Sequence, residues 1–162
     1  MYYNHRRRKS RCLRHQSDLF YEQFVSEDVE TVAAFSATSA DDQTLSQGEV
    51  LQFDVTLGNL GGYYQADNGV FICPYSGTYV FSVSVLTTRG DFAAGALYID
   101  GALHVIAWAD DAESTHSHAS NMVVAPCTAG GQVYVEAVDY GTSSFRQYHY
   151  TIFAGFLLQR YE

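Results

Sequence analysis

The chain predicts an all-β domain, a ten-stranded jelly-roll β-sandwich, on three observations. Aromatic and β-branched residues recur at every second position in run after run, the period of a strand with one face in a core. Turn residues separate these runs at intervals of about 8–12 residues, the spacing of sandwiches rather than of βαβ units. Thirteen Gly and thirteen Tyr against two Pro suit many short strands.

The clearest run is Phe71 to Val85. From Gly77 onward, Tyr79, Phe81, Val83 and Val85 point one way while Thr78, Ser82 and Ser84 point the other. Before it, Thr31 to Ser36 reads as a first strand, with Phe35 inward. Asp41-Asp42 reads as a turn, and Val50 to Thr56 as a long strand with Leu51, Phe53 and Val55 on one face. Gly58 to Gly62 reads as a glycine-rich loop; no GKS/T and no helix start follow it, so the phosphate reading is weak. After the central run, Phe92 to Ile99 reaches Asp100-Gly101, a strong hairpin signal because both residues tolerate positive φ. Leu103 to Trp108 returns. Ala109 to His118 is expected as a polar loop, then a strand from Ala119 to Ala125 and another from Val133 to Val138. Asp139 to Ser144 reads as a loop. The closing run, Tyr148 to Leu158, is apolar on both faces, Phe156 among them. Cover on both sides means a central strand or a subunit interface. The interface is the expectation.

Length and composition describe one domain large enough to bury a core without staples. Charged residues make up 17%, below the usual share of about 25%, which points to surface covered by partner subunits. The net charge of −9 hides an asymmetry. Residues 1–28 read as a basic, disordered segment, with Arg6, Arg7, Arg8, Lys9, Arg11 and Arg14 at its start. Residues 29–162 read as the globular domain. So acidic a body excludes nucleic acid as a partner. No run is long and apolar enough to span a membrane, and the basic opening lacks the apolar core of a signal peptide. Cys12, Cys73 and Cys127 are too few and too scattered for a disulfide framework or a zinc site. Cys73 and Cys127 read as small buried apolar residues.

Phe53, Asn59, Tyr64, Phe71, Gly77, Tyr79 and Phe81 stand at the intervals of a known signature. They resemble the complement C1q globular head, a member of the C1q/tumour-necrosis-factor-like superfamily. Val83 stands where that signature has an aromatic. Phe153 to Leu158 (FAGFLL) resembles the family's closing strand and Phe35 its opening one. The resemblance implies a core built on Phe35, Phe53, Phe71, Gly77, Tyr79, Phe81, Phe153 and Phe156. It also implies a homotrimer, an extracellular setting and a pattern-recognition role in innate immunity, with microbial carbohydrate or lipopolysaccharide as ligand. A secreted trimeric adaptor for protein receptors is the alternative.

No GxSxG, HExxH, P-loop or dinucleotide fingerprint occurs, so no enzyme is expected. One polar constellation remains: Asp110, Asp111, Glu113, His116 and His118, beside Trp108. It reads either as solvated surface or as a ligand site. As a metal site, Asp110 and Asp111 offer hard oxygens for calcium, and His116 and His118 offer imidazoles for zinc or copper. The resemblance adds that calcium-binding members carry acids in this loop. Ser117 and His118 stand where the far carboxylate would be wanted.

Overall fold

The computed structural model describes residues 32–88, 90–111, 115–138, 141–147 and 149–162. The basic segment 1–28, its boundary at residue 29 and Glu113 lie outside the described residues. The described residues hold twelve strands and no helix. In chain order these are β1 (Ala34–Thr38), β2 (Gln43–Ser46), β3 (Val55–Leu60), β4 (Tyr64–Gln65), β5 (Val70–Ile72) and β6 (Gly77–Thr88). Then come β7 (Phe92–Ile99), β8 (Ala102–Asp110), β9 (His116–Cys127), β10 (Gln132–Ala137), β11 (Thr142–Phe145) and β12 (Ile152–Arg160).

Ten of the twelve form two five-stranded antiparallel sheets, ordered β3-β1-β12-β6-β9 and β4-β5-β10-β7-β8. β11 and β2 pair as a separate ribbon, so the strand count exceeds the ten expected. Neighbours in each sheet are mostly distant in sequence, the crossing connectivity of a jelly roll. Alternation decides which face fills the space between the sheets. Tyr79, Phe81, Val83 and Val85 of β6 are fully buried, as are Val133 and Val135 of β10 and Leu97 of β7.

The signature residues acquire physical jobs. Phe35 lies 4.7 Å from each of the rings of Tyr64, Phe71 and Phe153, stacked on the first two and edge-on to the third. Tyr64 donates its hydroxyl to the Phe53 carbonyl at 3.0 Å, so a buried polar atom is satisfied. Its burial pushes its pKa up, with that hydrogen bond opposing the shift. Asn59 clamps Tyr64 from both sides: its amide donates to the Tyr64 carbonyl at 2.9 Å, and its oxygen accepts from the Tyr64 N–H at 3.1 Å. At Gly77 a Cβ would overlap the Gln159 carbonyl and meet the Leu157 side chain at 2.8 Å, so only glycine lets β6 approach β12 there.

Several expectations need correction. Cys73 and Cys127 are not separate thiols but a disulfide. Gly77 pairs with Cys127, which brings the end of β9 beside the turn that starts β6; a pairing so distant in sequence left no local mark. In the chain-entropy picture, a bridge across 54 residues stabilises by about 4 kcal/mol. Phe156 is 46% exposed rather than core, because it stands between Ala34 and Val80 on the outer face. Leu51 and Phe53 do point inward, but residues 51–54 are no strand. Leu51 donates to the Val135 carbonyl instead. Gly58 belongs to β3, and the glycine turn is confined to Gly61 and Gly62. The expected 139–144 loop contains the start of β11, and the first and last strands begin later than expected, at Ala34 and Ile152.

Candidate functional site

The polar constellation sits where the chain passes from the edge of one sheet to the edge of the other. β8 ends at Asp110 and β9 begins at His116, so the corner is shorter than the ten-residue loop expected from Ala109 to His118. Asn121 of β9 donates its side-chain amide to the Ile106 carbonyl of β8 at 3.3 Å, tying the two edges.

Asp111 is 3% exposed. Its carboxylate accepts from the Thr115 N–H at 2.9 Å, the Thr115 hydroxyl at 3.3 Å and the Gly90 N–H at 3.4 Å. These bonds hold the corner shut and occupy the oxygens a cation would need. Asp110 and Trp108 project from the outer face of β8, both exposed. His116 and His118 lie on β9 at the edge of the first sheet, opposite Thr88 and Leu86 of the neighbouring β6, two residues apart and therefore on one face. Both are exposed. Among the described residues no three His, Cys, Asp or Glu converge to hold a cation. Asp110 and Asp111 thus go separate ways, and the two histidines form a pair of their own.

Register explains what surrounds Trp108. Its cross-strand partner is Ala94, and Asp110 stands opposite Phe92. The Phe92 ring backs the indole, with centroids 5.9 Å apart and planes 17° from parallel. Neither Phe92 nor the alanine floor of β7 (Ala94 and Ala96, both buried) was read as functional. Only the pairing across the Asp100-Gly101 hairpin could have nominated them. On the same outer face Tyr98 and Tyr134 stack at 5.6 Å. Glu136, opposite Ala96, has its pKa raised by burial.

A second surface was foreseen only through the closing strand. Across the outer face of the first sheet, Leu60, Ala34, Phe156, Val80 and Val124 line up as one cross-strand row. The next row is Gly58, Ser36, Ala154, Ser82 and Met122. Small residues in the second row sink it below the first, leaving a shallow apolar groove of about 340 Å³. Leu60 and Met122 are 59% and 62% exposed.

The C1q domain family matches residues 34–158, which takes in both sheets and the corner. The chain belongs to the C1q domain family. This C1q domain is 31% identical over 134 residues to Caprin-2 of Danio rerio, covering 78% of the chain and 14% of that protein. It is 29% identical over 119 residues to the Heavy metal-binding protein HIP of Mytilus edulis, covering 72% of the chain and 55% of that protein. The chain therefore spans only part of the length of the curated relatives it matches. Among solved structures, the globular domain of zebrafish complement 1qA superposes with a TM-score of 0.66 at 17% identity, covering 80% of this chain and 98% of that one. The Eiger TNF of S. frugiperda superposes at 0.62 and 13% identity, covering 81% and 94%. These likenesses establish a C1q/tumour-necrosis-factor-like jelly roll.

Proposed function

We propose that this C1q domain is a secreted, non-enzymatic homotrimer that recognises microbial carbohydrate or lipopolysaccharide. The observation that carries the reading is the five-strand apolar row of the first sheet. Five strands at about 4.8 Å spacing make it roughly 19 Å wide. A contiguous apolar face on that scale marks an interaction surface rather than ordinary monomer surface. A closed rotational assembly hides one such face per copy. The Cys73–Cys127 bridge supports an oxidising, extracellular setting. Family membership supports recognition as the task. A glycan and lipopolysaccharide screen on the assembled protein, with and without calcium, tests it. Hits are expected; binding only to protein partners would favour the adaptor alternative.

The exposed His116 and His118 favour a second reading, divalent-metal binding, which the name of the Mytilus relative supports. Two imidazoles on one face suit zinc or copper better than calcium, which prefers oxygen ligands. With Asp111 engaged in the corner, the donors present fit zinc and do not fit calcium. Calorimetry should register zinc, weakening in acid because protonated imidazole cannot ligate. It should show no heat with calcium, and no zinc heat in His116→Ala/His118→Ala. Unchanged zinc binding in that variant would place the metal elsewhere.

A further inference from the structure

We infer that Trp108, backed by Phe92 and flanked by Asp110, is a stacking subsite for a neutral sugar ring. This rests on the recognition reading and narrows it to one ligand class and one surface. The indole is 49% exposed although Phe92 holds one side of it, so its remaining surface faces water in an ordered position. An ordered aromatic plane loses little freedom on binding. The C–H bonds on one face of a pyranose are slightly positive and meet the negative face of the ring system. The half-exposed indole carries an N–H that can donate to a sugar hydroxyl. Asp110, two residues on along the same face of β8, presents a carboxylate at the reach of neighbouring hydroxyls, and such charge-assisted bonds are the strong ones. The buried Ala94 opposite Trp108 keeps the floor low beside the ring.

Charge selects among ligands. From residue 32 onward the chain carries thirteen acids against three arginines. Of these, Arg146 is paired with Asp42 at 2.6 Å and Asp91 at 3.6 Å. Besides Asp110, Glu136 also faces outward from this sheet. An anionic sugar or a lipid phosphate meets repulsion there. A quaternary ammonium is served by rings at several angles around it; here the two rings are nearly parallel and offer one plane. A neutral, hydroxyl-rich ring fits the remaining chemistry.

Trp108 is the single tryptophan of the chain, so emission excited selectively through indole, apart from the thirteen tyrosines, reports this subsite alone. The experiment titrates the whole protein with neutral oligomers of mannose, glucose and N-acetylglucosamine, and separately with lipopolysaccharide and choline. Saturable change in Trp108 emission is expected with a neutral oligomer. Calorimetry of Trp108→Ala and Asp110→Asn should then show affinity reduced about tenfold or more, a loss on the scale of an interface hot spot. Trp108→Phe should retain part of it. Neutral-sugar binding that is undiminished in Trp108→Ala would overturn the subsite while leaving the recognition reading intact. A response to lipopolysaccharide or choline alone would overturn the ligand class. Absence of binding to every glycan and to lipopolysaccharide would remove both readings.

Discussion

Phe81 shows how much of this protein one residue can carry. Its ring is stacked on Tyr79 at 5.6 Å and lies across from Phe71 at 5.8 Å, with no solvent exposure. Truncation leaves a cavity in a dense interior, so Phe81→Ala should cost about 3–5 kcal/mol. Chemical denaturation would measure it; a loss below about 1 kcal/mol would mean that the core has been misassigned. Phe156 teaches the opposite lesson. The same residue type, also in a closing strand of aromatic and aliphatic residues, faces outward because of its parity relative to Phe153. The family resemblance implied a core that held both Phe153 and Phe156. Only alternation against an already placed neighbour separates them. Cys73 and Cys127 were unreadable for a related reason, since their contact depends on how β6 pairs with β9.

At the scale of elements, inward and outward positions were legible wherever a strand alternates cleanly, as β6 does from Gly77 to Val85. The hairpin at Asp100-Gly101 was equally legible, and both residues do adopt positive φ. What the sequence hid is a bulge. The register of β7 against β8 shifts between Leu97 and Tyr98, with His104 as the extra residue. A regular ladder out of this turn would oppose Trp108 to Ala93, which lies on the face of β7 that joins Leu97 and Ile99 in the hydrophobic core, as Ala94 does not. The bulge opposes it to Ala94 instead and turns the indole to solvent, because a one-residue slip reverses every side chain beyond it. Deleting His104 removes only the extra residue and keeps Val105 opposite Leu97 and Trp108 opposite Ala94, so the indole should stay exposed and its emission unchanged. A blue shift of Trp108 emission in this variant would show that the pairing with Ala94 does not set the orientation. The same logic explains the dispersal of the acid–histidine cluster. Five polar residues close in sequence read as one loop, yet β8 extends to Asp110 and β9 begins at His116, so Asp110 and the two histidines fall in different sheets.

For the whole molecule, the basic segment and the apolar face make separate claims. Residues 1–28 offer no amphipathic run. Removing them should leave the thermal midpoint nearly unchanged. A fall of more than about 5 °C, on the order of 1–2 kcal/mol for a domain this size, would make the segment part of the fold. The apolar face is the central claim, because a trimeric recognition module requires it to be covered. Phe156 is exposed in the single chain, so Phe156→Glu should spare the fold while placing a charge in the middle of the row. Light scattering at micromolar concentration is the most direct test. The wild-type chain of 18.0 kDa should give three times that mass, and the folded Phe156→Glu variant the mass of one chain. A wild-type protein that scatters as a single chain, or a variant that still scatters as three, would contradict the assembly proposed for this face.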